Sequence, residues 1–528
     1  MGKAAEKIKD ILGIEGGYED TIKPAINYTS ASIMLGGAGY PISQFHSQYL
    51  FWVEKLSQSS IGRISLINGL WDAFNDPVMG IISDRTRSKH GRHRPYLLAA
   101  AIPFSIGYLM RWFSFGISGA NAENSTAVFL WYLLAAVVYS TSYTIASIPY
   151  TSMLPSVAPT YFLRTQYKTV EYIMNSVGQV SSYLFTSLVL SNFNIKTMLS
   201  ALPEPSPADR NKYMLVGIVL AVWFFWPLIH CFRHTSEPSS LGVHNEPFSM
   251  KYLINEYKLI FSNRSFRQYF AISLFYTLSR QFYLNSNAYF MRSVAGKYDI
   301  FITMNLVSGV AEALGTPVNY MLVKNKGKTF CGKLLGPLMI IGLILNRTIT
   351  QATPNSVATV ILAVSAVFYN FGFSGPGFVG DNIQPDVIDA DELITGRRRE
   401  GVVGTFKSLF SKTVTSFASY FIGKSLDMFG YSSDKPAPSD QTAKSLFGLR
   451  LNAIYMPIVC ASISIFSIFR YAMTKKDHEL IRRIVAERKE KGFVENITDA
   501  EIVRIEKITG QKFNEMWIGQ RSDPIVAE

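Results

Sequence analysis

Residues 71–95 read WDAFNDPVMGIISDRTRSKHGRHRP, and this stretch decides what kind of molecule the chain forms. Its first half completes an apolar run that begins near residue 64 and contains Asp72, Asn75 and Asp76. Its second half carries five basic residues. About 20 apolar residues cross the roughly 30 Å hydrocarbon core of a bilayer. The stretch therefore predicts a membrane-spanning helix that holds two acids and ends in a basic loop.

Apolar runs of similar length recur along the whole chain. They lie around residues 29–53, 64–83, 96–117, 127–154, 169–193, 213–232, 268–291, 300–323, 330–349, 355–379, 402–430 and 452–473. Of the 528 residues 48% are hydrophobic and 17% are charged, against about 25% charged residues in soluble domains. We predict twelve spans, with Cys231, Cys331 and Cys460 reduced inside or beside them. A soluble multidomain enzyme, a disordered protein and a disulfide scaffold are excluded.

The connections between spans differ in their content of Lys and Arg. Basic residues cluster in the connections after spans 2, 8 and 10, whereas the connection after span 3 has none. Because basic residues collect in cytoplasmic loops, we predict an integral, multi-pass protein of the plasma or inner cell membrane with both termini in the cytoplasm. The net charge of +13 belongs to these loops, and no nucleic-acid partner is predicted. The charged segment before the first span argues against a cleavable signal peptide.

The longest internal polar segment divides the spans into two sets of six. The predicted parts are an N-terminal tail (1–24), a six-helix bundle (25–232), a central loop (233–267), a second six-helix bundle (268–473) and a helical C-terminal tail (474–528). A weak repeat relates the bundles: alignment of Pro77 with Pro317 places Asp72 over Glu312. Repeated halves of this kind are typical of transporters. The fold class is therefore an all-α membrane protein with two bundles.

Charged residues inside a span indicate function, because each costs about 2.5–3.5 kcal/mol to insert near the middle of a membrane helix. Asp72 and Asp76 are four residues apart and share one helix face, with Asn75 beside them. Carboxylate and amide oxygens suit a small cation, or a proton if one acid stays neutral. Lys412, inside span 11, is expected to face these acids, whereas Lys407 is expected to snorkel. The alternative is that the two acids only pair with basic residues to hold helices together.

Other polar residues fall inside the second bundle and at the end of span 3. Arg280 lies deep in span 7, among the hydroxyls, amides and tyrosines of YTLSRQFYLNSNAYF. This composition suits a polar solute, although hydrogen bonding between helices explains it equally well. Glu312 is expected to be a second cavity acid because it aligns with Asp72. Arg111 and Trp112 are predicted to be an interfacial anchor near the outer end of span 3.

Four motifs together resemble one transporter family. They are WDAFNDP with GIISDRTRSKHGRHRP, YTIASIPYTSMLPS in span 4, FLRTQ after it, and DVIDADELITGRRREG before span 11. Over about residues 25–475 the chain resembles the glycoside–pentoside–hexuronide:cation symporters, a branch of the major facilitator superfamily. The resemblance implies twelve helices in two bundles and the alternating-access symport of a sugar or glycoside with Na⁺ or H⁺. No other cofactor and no catalytic residue is implied, and we expect a functional monomer.

The resemblance also assigns roles to individual residues. The cation-binding residues that it implies are Asp72, Asn75, Asp76 and Thr144, with Asp72 and Asp76 as the metal ligands if the cation is Na⁺. Lys412 matches the family's coupling lysine in span 11. The residues that match the cytoplasmic gate are Asp84, Arg85, Arg92 and Arg164. The cation-binding part of the family's machinery is thus expected to be complete.

The sugar-binding part departs from the family pattern. The family's acids in spans 1 and 4 are missing, and Ser147, Thr151 and Tyr172 stand near positions that contact sugar in the melibiose carrier. The residues that we predict to bind substrate are Gln44, Tyr49, Ser147, Thr151, Tyr172, Arg280, Asn287 and Glu312. His46 is more simply a packed histidine than a ligand. Loss of the two acids makes the cavity less negative, which slightly favours a hexuronide with Arg280 as its counter-charge.

Three other functions compete with sugar symport. A carrier of a lysolipid or another amphipathic solute is the first, since an animal lysophospholipid carrier shares the fold and the acid pair. The second is a non-transporting membrane sensor that signals through its tail. An enzyme is the weakest alternative, because the chain has no nucleophile elbow, HExxH motif, Walker loop or CxxC pair. We therefore predict that the protein is not an enzyme.

Overall fold

A computed structural model describes residues 22–117, 126–158, 161–200, 205–237, 255, 258–350, 352–397, 399–432, 437–494 and 497–519. These residues form helices joined by short connections, and they contain no β-strand. Cys231, Cys331 and Cys460 are free thiols and are buried, as predicted.

Within the described residues, the first half of the chain contains six long helices. Helix α1 runs in the pieces Lys23–Thr29, Ala31–Gly37 and Gly39–Pro41 and ends in two π-helical turns, Ile42–His46 and Tyr49–Val53. It is followed by α2 (Gln58–Arg85), α3 (Arg94–Trp112), α4 (Thr126–Val157), α5 (Tyr161–Leu190) and α6 (Arg210–His234). A short helix, Ile195–Ser200, lies between α5 and α6.

The second half contains six more long helices and a helical tail. They are α7 (Arg264–Ser293), α8 (Phe301–Lys326), α9 (Phe330–Arg347), α10 (Asn355–Thr395), α11 (Glu400–Met428) and α12, which consists of Ala443–Arg450, a π-helical turn Leu451–Tyr455, and Met456–Arg470. The tail forms α13 (Lys475–Lys491) and α14 (Asp499–Thr509).

Each of the twelve predicted spans falls on one of the helices α1 to α12. Within the described residues, six helices are long and apolar enough to cross a membrane by length and composition alone. They are Thr126–Leu154, Pro207–His234, Tyr298–Val323, Phe330–Arg347, Asn355–Thr395 and Ala443–Arg470. Helix α2 is not among them, since Asp72 and Asp76 interrupt its apolar character. The number of twelve spans stays a prediction.

By its contacts the chain divides into two compact units. Unit 1 comprises residues 1–248, 298–302 and 419–436, and unit 2 comprises residues 249–297, 303–418 and 437–528. Two short segments of the second half of the chain therefore group with the first unit. The cation-site candidates of α2 and α4 belong to unit 1, whereas Arg280, Glu312 and Lys412 belong to unit 2.

Glycines permit the close crossing of α1 and α5 in unit 1. A Cβ atom on Gly178 would lie 2.1 Å from the carbonyl oxygen of Ile33, and one on Gly37 would lie 2.6 Å from the carbonyl oxygen of Gly178. Small residues are typical of membrane helix pairs because they let the backbones approach closely. This crossing fixes α1 against α5 on one side of unit 1.

The C-terminal tail is part of the core of unit 2. Ile481, Ile484, Ile505 and Ile508 are fully buried in one cluster with apolar residues of α7 and α10. Capping boxes begin both tail helices, and glycines with left-handed backbone end them. The tail, predicted to be helical, thus forms two helices in the structure. Helix α10 continues to Thr395, past the predicted end of span 10 at residue 379, and its last turns pack against this tail.

Candidate functional site

The acid pair lies in the middle of α2. Asp72 and Asp76 are partly buried and one helical turn apart. Thr144 of α4 is buried, and its hydroxyl donates a 2.9 Å hydrogen bond to Oδ1 of Asp76. Two helices therefore contribute oxygen atoms to one place in unit 1.

Asn75 and Pro77 of α2 provide further polar groups beside these acids. Among the described residues, the side-chain amide nitrogen of Asn75 is buried and has no hydrogen-bond partner. Since the two ends of an amide are nearly isosteric, this side chain can present its oxygen instead. Pro77 lies inside the helix and has no N–H, so it donates no hydrogen bond to the carbonyl of Ala73. These oxygens suit a hard cation such as Na⁺.

Nitrogen and sulfur ligands do not contribute to this site. The described part of the chain contains no group of three or more His, Cys, Asp or Glu residues that could hold a metal ion. The cluster is therefore built from two carboxylates, an amide and a hydroxyl. This chemistry fits a weakly held ion that enters and leaves, because few charged ligands surround it.

Hydrogen bonds between α2 and α4 hold the cluster in register. The Trp71 indole N–H donates to the hydroxyl of Thr141 at 2.8 Å, and the Ser140 hydroxyl donates to the amide oxygen of Asn68 at 2.9 Å. Ser140 and Thr141 lie four and three positions before Thr144, so each of them shares a side of α4 with it. The same side of α4 thus presents Thr144 to Asp76.

The predicted interfacial anchor at the end of span 3 is wrong. Trp112 is fully buried, and the Arg111 guanidinium donates a 3.1 Å hydrogen bond to Nδ1 of His46. His46 in turn donates through Nε2 to the backbone carbonyl of Arg111 at 2.8 Å. Arg111 also interacts electrostatically with Asp72. It is therefore an internal charge of unit 1, and His46 is its packed partner.

The substrate candidates of α1 lie at its π-helical end. Tyr49 is fully buried, and its hydroxyl donates a 2.9 Å hydrogen bond to Glu54, which also pairs with Arg210 at 2.9 Å. In this structure Tyr49 is therefore committed to a buried ion pair and not accessible to a solute. Gln44 is partly buried one turn earlier.

The substrate-binding candidates of α4 and α5 are more accessible than Tyr49. Ser147 is partly buried, whereas Thr151 is exposed and its hydroxyl donates to the backbone carbonyl of Ile148 at 2.9 Å. Tyr172 of α5 is 76% exposed. Their role in binding substrate stays a prediction.

Unit 2 brings together two of the predicted residues. Nη2 of Arg280 donates to Oε2 of Glu312 at 2.7 Å, and Nη1 donates to Oδ1 of Asn370 at 2.8 Å. The guanidinium carbon lies 4.3 Å from the ring centre of Phe373. Asn287 lies two turns along α7 from Arg280 and is partly buried. Sequence reasoning missed Asn370 and Phe373, since neither stands out in the apolar run of α10.

Two of the three lysines of α11, Lys407 and Lys412, lie in the part assigned to unit 2. Lys407 was expected to snorkel, but its ammonium group donates to Asp381 at 2.9 Å and to Gln384 at 3.2 Å. Helix α10 continues past the predicted span and places this acid within reach, and the expectation that Lys407 snorkels stays a prediction. Lys412 lies in the middle of α11, and its coupling role stays a prediction.

Two of the four gate candidates can be described only in part. The side chains of Asp84 and Arg164 lie outside the described residues, although α2 and α5 carry these positions. Arg85 is exposed at the end of α2, and Arg92 is partly buried in the connection to α3. Neighbouring this connection, Glu237 accepts hydrogen bonds at 2.9 Å from the backbone N–H groups of His93 and Arg94.

This contact of Glu237 was not foreseen from the sequence. Burial alone would raise the pKa of the Glu237 carboxyl, but its hydrogen bonds from His93 and Arg94 lower the pKa below its ordinary value. The carboxylate is thus held ionised where it ties the residues after α6 to the start of α3. An isolated glutamate in a polar loop gives no sequence signal for such a contact.

Comparison with known proteins agrees with a transporter. Residues 27–475 match the family described as MFS/sugar transport protein. The chain is 25% identical to an uncharacterized symporter of Synechocystis, over 84% of this chain and 93% of that protein. It is 22% identical to the isoprimeverose transporter of Lactiplantibacillus pentosus, over 81% and 83% of the two chains.

More distant similarities extend over most of the chain as well. The chain is 22% identical to the sodium-dependent lysophosphatidylcholine symporter 1 of Gallus gallus, over 82% of this chain and 85% of that protein. Among solved structures, the nucleoside transporter NupG has a TM-score of 0.58 at 14% identity and covers 85% of this chain and 98% of its own. The likeness to NupG shows a shared fold.

Proposed function

Because the chain belongs to the MFS/sugar transport family, whose model matches residues 27–475, we propose that it is a cation-coupled symporter of a sugar or glycoside. It is a multi-pass membrane protein and not an enzyme, as predicted. The observation that carries the proposal is the cluster of Asp72, Asp76 and Thr144 inside a membrane bundle, tied by the 2.9 Å hydrogen bond to Asp76. The similar symporters support the same function.

The acid pair binds the cation whose gradient drives transport. Two carboxylates on one helix face repel each other, and a bound Na⁺ or proton relieves this repulsion. Thr144 and Asn75 supply neutral oxygens that complete the site for Na⁺. One cation that moves inward through 100 mV supplies about 2.3 kcal/mol, which corresponds to roughly a fifty-fold gradient of substrate.

Lys412 and the basic connection after α2 have separate roles in this proposal. Lys412 is the coupling residue, because a fixed positive charge inside the membrane competes with a mobile cation for acidic partners. Asp84, Arg85, Arg92 and Arg164 form the cytoplasmic gate, with both termini on the same side of the membrane. Alternating access then moves one bundle against the other around the binding site. We propose that one chain is sufficient for transport.

Two similar transporters and the Arg280–Glu312 pair bear on which solute the protein transports. The isoprimeverose transporter of Lactiplantibacillus pentosus is a similar protein, which favours a pentose-containing glycoside. The lysophosphatidylcholine symporter is the competing precedent. The polar, aromatic-lined pair of Arg280 and Glu312 favours a hydroxyl-rich solute over a lipid chain, because apolar ligands bind in mostly apolar cavities.

Uptake into proteoliposomes tests the proposal. Radiolabelled glycosides, pentosides, hexuronides and lysophosphatidylcholine are supplied with an inward Na⁺ gradient, an inward H⁺ gradient or neither. We expect one gradient to drive accumulation of a sugar, and we expect Asp72→Asn and Asp76→Asn each to abolish it. Asp440→Asn is the matched control, because Asp440 is exposed and distant in sequence from the site.

The outcomes separate the competing functions. Gradient-driven uptake that survives both substitutions would refute the role of the acid pair. Accumulation of lysophosphatidylcholine instead of sugar would identify a lipid carrier. Binding of a solute without any accumulation would favour the sensor.

A further inference from the structure

The guanidinium of Arg280 is already neutralised inside unit 2. Its Nη2 atom lies 2.7 Å from a carboxylate oxygen of Glu312, and its Nη1 atom lies 2.8 Å from the amide oxygen of Asn370. Phe373 covers the guanidinium from one face at 4.3 Å. Three helices, α7, α8 and α10, therefore fix the orientation of this one side chain.

The Arg280–Glu312 pair is partly exposed on another side. The side chain of Glu312 is 39% exposed and that of Arg280 is 22% exposed. Gly309 lies one turn before Glu312 on α8, and a Cβ atom there would meet no other atom within 4 Å. A solute can therefore reach the carboxylate and the outer edge of the guanidinium.

Aromatic rings support the pair from inside unit 2. Tyr276 stacks on Phe373 with 4.3 Å between ring centres, and Tyr283 stacks on Tyr369 at 3.8 Å, and of these four side chains only Tyr276 is not buried. In ligand sites a few placed polar groups orient the ligand. Here the carboxylate accepts hydrogen bonds from hydroxyl groups and the guanidinium donates them.

We infer that the Arg280–Glu312 pair selects neutral sugars and rejects hexuronides, with Glu312 as the residue that determines this specificity. This inference rests on the proposed sugar transport. A uronate would bring a second carboxylate to a guanidinium whose partner is already in place, and two like charges would then lie close together. A neutral glycoside meets donors and acceptors without a net charge. The slight preference for a hexuronide, predicted from the missing acids of spans 1 and 4 with Arg280 as counter-charge, is thereby reversed.

A second basic residue of unit 2 is neutralised in the same way. The ammonium group of Lys407 lies 2.9 Å from a carboxylate oxygen of Asp381. Hence Lys407 does not supply an unpaired cation for a uronate. The Lys407–Asp381 pair therefore serves as an internal comparison for the Arg280–Glu312 pair.

Competition between matched sugars tests this specificity. Methyl β-xyloside, methyl β-glucoside and methyl β-glucuronide differ only at the sixth carbon position. Each competes with the best-transported labelled sugar in proteoliposomes that hold the wild type or Glu312→Gln. We expect the wild type to bind the glucuronide at least tenfold more weakly than the better neutral sugar. In Glu312→Gln this ratio should shift at least tenfold toward the glucuronide, because the substitution keeps the size of the side chain and frees the guanidinium.

Two further variants control for folding and for charge. Glu312→Asp keeps the negative charge and should keep the preference for neutral sugars. Adding Arg280→Gln to Glu312→Gln should remove the gained affinity for the glucuronide. Thermal unfolding of each purified variant shows whether it has folded. A wild type that accepts both sugars equally, or a folded Glu312→Gln that transports with an unchanged ratio, would overturn the inference alone. A wild type that accumulates no sugar would overturn the proposed function, and the inference with it.

Discussion

The hydroxyl of Thr144 donates a 2.9 Å hydrogen bond to Oδ1 of Asp76, and this contact joins α4 to the acid pair of α2. Thr144 is buried, so solvent does not replace the bond if the hydroxyl is lost. A threonine near two carboxylates is therefore both a ligand candidate and a means of orienting one acid.

Substitution of Thr144 by valine should weaken cation binding without preventing folding. The two side chains have nearly the same shape, and a hydrogen bond to a charged group contributes about 1.5–3 kcal/mol. We expect at least a roughly tenfold rise in the cation concentration that gives half-maximal uptake, since tenfold corresponds to about 1.4 kcal/mol. Thr144→Ser restores the hydroxyl and should behave like the wild type. An unchanged cation dependence in Thr144→Val would exclude Thr144 from the site.

Arg399 and Asp391 form the most enclosed ion pair of the connection between α10 and α11. Two guanidinium nitrogens of Arg399 lie 2.8 Å and 2.6 Å from the two oxygens of Asp391, and both side chains are buried. Removing one partner of a buried pair costs about 3–5 kcal/mol. Arg399→Gln should therefore lower the thermal unfolding temperature by several degrees, whereas Arg397→Gln, at an exposed position, should not. Equal unfolding temperatures for the two variants would contradict this assignment.

Asp477 joins the two tail helices and should make the stability of unit 2 depend on acid pH. Burial alone would raise the pKa of its carboxyl, but hydrogen bonds from Arg504 and Thr474 lower it from 3.8 to about 2. A group with a lowered folded-state pKa stabilises the protein above its unfolded-state value and loses this effect as pH falls through the folded-state value. The contribution is therefore complete above about pH 5 and disappears between pH 4 and pH 2.

Asp477→Asn measures this contribution. Because Arg504, the partner of the buried Asp477 carboxylate, is 33% exposed and solvent screens the pair, we expect the variant to be less stable by about 1 kcal/mol at neutral pH. Thermal unfolding recorded from pH 7 to pH 3 should show the difference from the wild type shrinking below pH 4. Asp499→Asn, in the exposed first turn of α14, is the control. A difference that grows toward acid pH would contradict the assignment.

A methyl group on Gly178 should separate α1 from α5. The new Cβ atom would lie 2.1 Å from the carbonyl oxygen of Ile33, and this backbone atom cannot move independently of its helix. Overpacking of this kind costs about 1–3 kcal/mol. Gly178→Ala should therefore unfold at a lower temperature, while Gly39→Ala, which meets no atom within 4 Å, should not. A stable Gly178→Ala variant would indicate that the two helices can shift apart.

The sequence alone predicted the elements that depend on local patterns. The four-residue spacing of Asp72 and Asp76 determines that they share a face of any helix, and long apolar runs determine where the helices lie. The helical character of the tail was predicted from its sequence, and in the structure capping boxes at Thr474 and Thr498 begin its two helices.

The sequence could not predict contacts that depend on how helices pack. Arg111 was assigned to the membrane interface, since basic residues near span ends usually reach toward water. The π-helical end of α1 instead brings His46 to it, and irregular turns of this kind have no clear sequence signal. Similarly, the sequence predicts a loop for the acidic residues after residue 380, because the tail that covers them lies far along the chain. Asn370 is identified as a partner of Arg280 only from the structure, because this contact depends on the packing of α7 against α10.

The position of the tail has a consequence for how the protein is made. Val387 at the end of α10 is buried in the same cluster as Ile481, which the ribosome adds about ninety residues later. At a synthesis rate of about 5–20 residues per second, this end of α10 stays uncovered for roughly 5–20 s. Unit 2 therefore completes its core only after both tail helices have been synthesised, and the order of synthesis makes the docking of these helices the step that closes this core.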